Sequence, residues 1–167
     1  MKSKIIKFSA AIILLLIIVL LLPFPQIIST ELSASIYDDP SSEYTLSVKA
    51  VKLNYLIKTD EFIPKIKLYN KDNIIFDNSS DKIKIPLLKF PSQNKEKNIE
   101  YADFFFYDKQ KNIMDTASLI FDNSKGYFSF TVDNLTYTAP SQSKKEADNI
   151  INYLEISNFP QYRNISQ

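Results

Sequence analysis

Carboxylates are the only side chains present in number that could do catalytic work in this chain of 167 residues, which has neither histidine nor cysteine. Zinc sites built on those ligands, thiol nucleophiles and histidine triads are therefore ruled out. Glycoside hydrolysis asks for two carboxylates about 5–10 Å apart, one of them raised in pKa by an apolar setting. Asp103, beside Phe104, and Asp115 on the following strand are the pair to examine, brought together by a turn at residues 109–112. The plainer reading makes both of them solvent-facing residues of half-buried strands.

Two oxygen-rich stretches, Asp77-Asn78-Ser79-Ser80-Asp81 and Asp122-Asn123-Ser124, have the composition of calcium loops but lack the spacing and bidentate glutamate of an EF-hand. A chain with one glycine, Gly126, must build its turns from Asn, Asp and Pro, which accounts for them. The same scarcity excludes glycine-rich phosphate loops and the dinucleotide fingerprint. Asn78, Asn134 and Asn164 each open a glycosylation triplet, as chance produces in an Asn-rich chain. Stacking of sugars on exposed rings would fall to Tyr69, Tyr107 and Tyr127, since tryptophan is missing and Phe104, Phe106, Phe128 and Phe130 sit at core positions. No catalytic, cofactor-binding or metal-binding residue is assigned.

The elements that must carry these residues are mostly strands. From Tyr44 the apolar period is two: Leu46, Val48 and Ala50 share a face, then Val51, Leu53, Tyr55 and Ile57 continue on the other. Such a slip predicts a β-bulge or a strand that changes sheets. Pro64 predicts an edge strand or a start at Lys65, and Pro86 interrupts the alternation of residues 82–87. Phe104-Phe105-Phe106, apolar on both faces, predicts a strand covered on both sides. The clearest unit is a hairpin turned at Asp133-Asn134, pairing Val132 with Leu135, Phe130 with Tyr137 and Phe128 with Ala139. Thr131–Thr136 and Ser129–Thr138 fall on its other face. Ser143-Lys144-Lys145-Glu146 reads as a capping box before an apolar helical stripe of Ala147, Ile150, Ile151 and Leu154.

The N-terminus is of another kind. Lys2, Lys4 and Lys7 precede an uncharged run from Phe8 to Thr30, aliphatic through Leu22 and closed by Pro23-Phe24-Pro25. Twenty helical residues at ~1.5 Å each match the ~30 Å hydrocarbon core of a bilayer. Residues 20–25 offer no small-residue cleavage site, and Ser33-Ala34-Ser35 lies far beyond the apolar stretch, which favours a retained anchor over a removed signal. The next basic residue is Lys49, so lysine asymmetry places the N-terminus in the cytoplasm and the remainder outside.

The predicted organisation is a signal-anchor helix over residues 1–25, a tether without sustained period over 26–43, an exported β domain with a C-terminal helix over 44–157, and a tail over 158–167. The fold class is mostly β with one C-terminal helix, an antiparallel sandwich or barrel-like domain behind an N-terminal transmembrane helix. The strand-then-helix order resembles that of bacterial pleckstrin-homology-like barrels, in order alone. Beyond the anchor, seventeen basic residues stand against all nineteen acidic ones, with Arg163 the only arginine. That balance lacks the basic excess of a nucleic-acid-binding face. The abundance of Lys, Asn, Ile, Phe and Tyr is that of an AT-rich bacterial genome. The expected function is a membrane-anchored extracytoplasmic accessory or binding module that recognises a cell-envelope component or a membrane-protein partner. A carboxylate-dependent envelope hydrolase using Asp103 and Asp115, or an extracytoplasmic ligand sensor, is the alternative.

Overall fold

The structure, a computed structural model, describes residues 2–71, 73–81, 83–90, 92, 96–108 and 113–158, without the side chains of 2–8, 10, 108 and 158. Helix α1 (Lys2–Leu21) is built from aliphatic residues, and Ile12 through Leu22 are exposed to their surroundings. Pro23 and Pro25 end it, since neither can donate the next helical hydrogen bond. Among the described residues no helix is long and apolar enough to cross a membrane.

Strand β1 (Phe24–Ile36) follows at once, and here the sequence reading needs correction. Residues 26–36 of the segment 26–43, expected to be a tether, belong to this thirteen-residue strand in the middle of the sheet. Ile28, Leu32 and Ala34 turn to the core and alternate with Ser29, Glu31 and Ser33. The hydroxyl-rich composition masked a genuine period of two.

The chain continues through β2 (Tyr44–Asn54), β3 (Glu61–Asn70), β4 (Asn73–Asp77), β5 (Ile85–Pro86), β6 (Leu88–Lys89), β7 (Glu100–Asp108), β8 (Ile113–Asp122), β9 (Tyr127–Val132) and β10 (Leu135–Ala139). All pairings are antiparallel, in the order β4-β3-β2-β1-β10-β9-β8-β7-β6, with β5 alongside β3. β1 pairs with β2 from Phe24 to Ala34 and with β10 at Ser35 and Ile36, so it passes from one half of the sheet to the other. The halves fold face to face: Phe62 of β3 stacks on Phe121 of β8 at 5.6 Å, and Phe76 of β4 meets Phe106 of β7 and Phe130 of β9 at 4.8 and 5.1 Å.

The sheet is not closed into a barrel. Residues 85–89 run between its two ends but pair with β3 over two residues and with β7 over two more. Pro86, which has no N–H to donate, sits in the middle of that crossing.

Three further expectations are corrected. β2 runs without a bulge: Leu46, Val48, Ala50 and then Lys52 keep the inward parity, and Val51 and Leu53 face outward. Lys52 is tolerated in the core because it meets Glu100 of β7, the two side chains being 7% and 3% exposed. β3 starts at Glu61 and passes through Pro64. Beside Pro64 the next strand is replaced by the buried Asn78 side chain, which accepts from the Ile66 amide at 2.6 Å and donates to the Pro64 carbonyl at 3.5 Å. A residue lacking an N–H fits there. β7 is covered on one face only in its second half: Phe104 is buried, whereas Phe105 and Tyr107 are exposed.

The β9–β10 hairpin has the predicted register at every pair, with Asp133 and Asn134 at φ 52° and 61° as its turn requires. Helix α2 (Lys144–Tyr153) begins at its Ser143 cap, whose Oγ accepts from the Glu146 amide at 3.3 Å. Ile150, Ile151 and Leu154 bury against Ile99 and Ile120, on the outer face of the β7–β10 half, and Ala147 on the same stripe is buried too. Asp122 locks this end. Its carboxylate accepts from Tyr153 Oη at 2.9 Å, from the Ser124 amide at 2.9 Å and from the Asn98 amide at 3.2 Å. Burial works to raise the carboxyl, but those bonds outweigh it and hold it below the usual range.

Candidate functional site

The largest hollow among the described pockets is a groove of about 570 Å³ on the outer face of the β1–β3 half, at the end far from α1. Its floor is one cross-strand row: Ser33 of β1 lies opposite Thr45 of β2, which lies opposite Tyr69 of β3. Directly opposed residues share a face, so the three side chains project together. The loop 40–43 forms one wall, and Ser141 and Gln142, on the way to α2, form another.

Local sequence explains why these walls hold still. The Asp39 amide donates to the Ile36 carbonyl and the Ser42 amide to the Asp39 carbonyl, both at 3.1 Å, while Ser42 Oγ accepts from the Ile36 amide at 3.1 Å. Each is the kind of turn that Asp-Asp-Pro-Ser-Ser encodes. The Ser141 amide donates to the Ser33 carbonyl at 3.1 Å, and the two hydroxyls of Ser35 and Ser141 meet at 2.7 Å. The Gln142 amide donates to Glu146 at 2.8 Å, tying the wall to the first turn of α2.

Tyr69 is the fixed ring of the site. Its hydroxyl donates to Glu31 at 2.8 Å, and that carboxylate pushes the phenol upward from its ordinary pKa. Tyr44, at the inner edge, packs edge-on against Tyr137 at 5.1 Å. Tyr137 is itself pushed up to about 12, chiefly by burial. The lining thus combines two aromatic rings, five hydroxyl side chains, an amide, one lysine (Lys71) and one carboxylate (Glu43). A second hollow of about 360 Å³ adjoins it, sharing Ser33, Ser141 and Gln142. Such a lining suits a neutral, hydroxyl-rich ligand better than a strongly charged one.

The sequence-derived candidates fall elsewhere. Asp103 stands opposite Ser118 and Asp115 opposite Phe106, three positions apart along the ladder and on opposite faces of it. At ~3.4 Å per residue that is about 10 Å along the strands before the thickness of the sheet is added. The structure does not bring the pair together. The loop at residues 77–81 is spoken for as well: Asp77 accepts from the Ser79 amide at 2.8 Å and pairs with Lys67 at 2.9 Å, and Asn78 is buried against the backbone of β3. Among the described residues no three acidic groups converge as a metal site would require. Of the tyrosines singled out, Tyr69 lines the groove, Tyr127 packs against Tyr153 at 5.2 Å, and Tyr107 is exposed beside Phe105. Asn164 lies outside the described residues, as do the turn at 109–112 and nearly all of the tail.

Ser33, Thr45, Ser141 and Gln142 were not legible as site residues, because their meeting depends on β1 pairing with both β2 and β10. Comparison with family models, with curated proteins and with solved structures yields no match. The fold and the groove by themselves define an antiparallel scaffold with a polar, tyrosine-bearing recess.

Proposed function

We propose that this chain is a membrane-anchored extracytoplasmic binding module, a β-sandwich held at the outer membrane face by α1, whose groove takes a hydroxyl-rich segment of the cell envelope. The groove at Ser33, Thr45 and Tyr69 carries this reading. Its volume is that of ordinary ligand sites, and its ring is held in place before any ligand arrives. Sugars offer both a ring face to stack on tyrosine and hydroxyls to meet Ser, Thr and Gln. The lysine asymmetry around the apolar run supports the topology.

The test uses the full chain in detergent micelles, immobilised and offered soluble wall glycan fragments and, separately, solubilised membranes. Retention of glycan, weakened at least tenfold in Tyr69→Ala and Gln142→Ala, is the expected result. Equal retention by both variants, or capture of a stoichiometric membrane protein with no glycan, overturns the groove assignment. A fragment lacking α1 and beginning near residue 35 would not serve, because it would lose most of β1.

A further inference from the structure

The outward face of the β1–β3 half is graded along its length. Nearest α1 lies an apolar row, Ile27 opposite Val51 opposite Ile63; just below it Pro25 stands opposite Leu53 and Leu53 opposite Glu61, whose carboxylate is neutralised by Lys58 and Lys84. The next outward row is Ser29, Lys49 and Lys65, then Glu31, Ser47 and Lys67, and last the Ser33–Thr45–Tyr69 floor of the groove. Ile27 is 79% exposed, and beyond the row the β2–β3 turn holds out Leu56 and Ile57, 59% and 63% exposed. Outward apolar side chains of these strands are thus confined to the end where the chain leaves α1; Phe24, two residues beyond Leu22, is already opposite Asn54.

The lysine row is a second, independent observation. Lys49 and Lys65 are directly opposed, and like charges so placed destabilise a sheet. A negatively charged surface against this face would offset that repulsion. An apolar band with lysines two residues (~7 Å) above it is the layout of an interfacial anchor, apolar groups reaching ~5–10 Å into the headgroup boundary and amines remaining among the phosphates. A second copy of the same face would set lysine against lysine.

We infer that the α1-proximal end of this face, with Leu56 and Ile57 at its tip, seats in the interfacial layer of an anionic bilayer, Lys49 and Lys65 lying over the lipid phosphates. The inference rests on the reading of α1 as a membrane anchor. The domain then leans on the membrane along the β1–β3 face and does not hang free from its helix.

The chain has no cysteine, so each introduced one is a unique attachment point for an environment-sensitive fluorophore. The full chain is reconstituted into phosphatidylcholine vesicles with or without phosphatidylglycerol, with nitroxide-bearing lipid as quencher. Labels are placed at Ile18→Cys in α1, at Leu56→Cys and Ile57→Cys on the exposed tip, and at Thr45→Cys at the far end of β2. Quenching at positions 18, 56 and 57 but not 45 is the expected result, with tip quenching stronger in phosphatidylglycerol and that excess lost in Lys49→Gln/Lys65→Gln. If position 18 is quenched while both tip labels behave like position 45, the seating is refuted and the anchor stands. If position 18 is not quenched, the anchor reading fails and takes the inference with it. Tip labels that are shielded yet unquenched, or that cross-link chain to chain, show a protein surface covering the face and also overturn it.

Discussion

Lys52 and Glu100 offer the sharpest test of how the two halves of the sheet meet. Lys52 lies opposite Phe62 on β3, Glu100 lies opposite Phe121 on β8, and those two rings stack on each other. The ion pair therefore completes a rung of the core. With both side chains more than nine-tenths buried, removing one charge strands the other without water, at a cost of about 3–5 kcal/mol. That is a large share of the ~5–15 kcal/mol that holds a domain folded. Replacing both partners by apolar side chains is expected to range from nearly neutral to a gain of ~1–4 kcal/mol. Lys52→Met and Glu100→Gln should each be strongly destabilising, while Lys52→Met/Glu100→Leu should recover most of the loss. The assay is urea unfolding of the full chain in micelles, followed by the near-ultraviolet circular dichroism of its ten tyrosines. With a denaturant slope of ~1–3 kcal/mol per molar, each single variant should lower the midpoint by roughly 2 M. Two single variants that lose less than ~1 kcal/mol each, and simply add in the double, would show a solvated pair and refute the packing of β2 against β7.

Phe130→Ala should cost about 3–5 kcal/mol and Phe130→Asp more, whereas Thr131→Asp, one residue on and facing the other way, should stay within ~1 kcal/mol; equal effects in thermal unfolding would reject the assigned faces. Asp122 has its folded pKa lowered, so its contribution is complete above the unfolded value near ~4 and fades as pH falls through the folded one. Asp122→Asn should lose on the order of 2 kcal/mol at neutral pH and show a flatter acid limb when unfolding is measured against pH. Glu61, lowered to about 2 by Lys84, Lys58 and Tyr55, has the same sign: Glu61→Gln should remove that residue's own share of the pH dependence between its ordinary value of 4.5 and about 2, leaving the Asp122 share in place. Ser143→Ala removes the cap of α2 and should cost ~1 kcal/mol in the same measurement, a loss that Ser143→Asp restores.

Local, strongly patterned elements were legible in the residues; those fixed by distant pairing were not. The β9–β10 hairpin and the Ser143 cap each rest on a few adjacent residues whose alternation or spacing has one satisfactory solution. β1 had the same alternation at Ile28, Leu32 and Ala34, but with a threonine at the remaining inward position and polar neighbours it matched a loop as well as a strand. Its partners lie about 20 and 100 residues away, at β2 and β10. Lys52 misled for a related reason. A lysine at an inward position, followed by apolar Leu53 and Tyr55, imitates a change of register, and only the presence of Glu100 across the core removes the ambiguity. The groove was invisible for want of any motif. Tyr69 stood out as a ring that could stack, but Ser33, Thr45 and Ser141 are ordinary residues until the sheet sets them beside it.

The correction at β1 changes what the groove can reach. A free tether of eighteen residues would let a domain wander by ~5–6 Å × √18, about 21–25 Å, in any direction. The structure leaves only Leu22 and Pro23 between the end of α1 and the first paired residue of the sheet, a leash of about 7 Å. Ser33 is six residues up the same strand from Ile27, so the groove floor stands about 20 Å from the apolar row along an unbroken ladder. Under the proposed seating that distance becomes a height above the lipid, set by β1 and almost without slack. A binding module so built is suited to a ligand that is itself held near the bilayer, such as a membrane-linked glycan, and poorly suited to searching the outer layers of a wall.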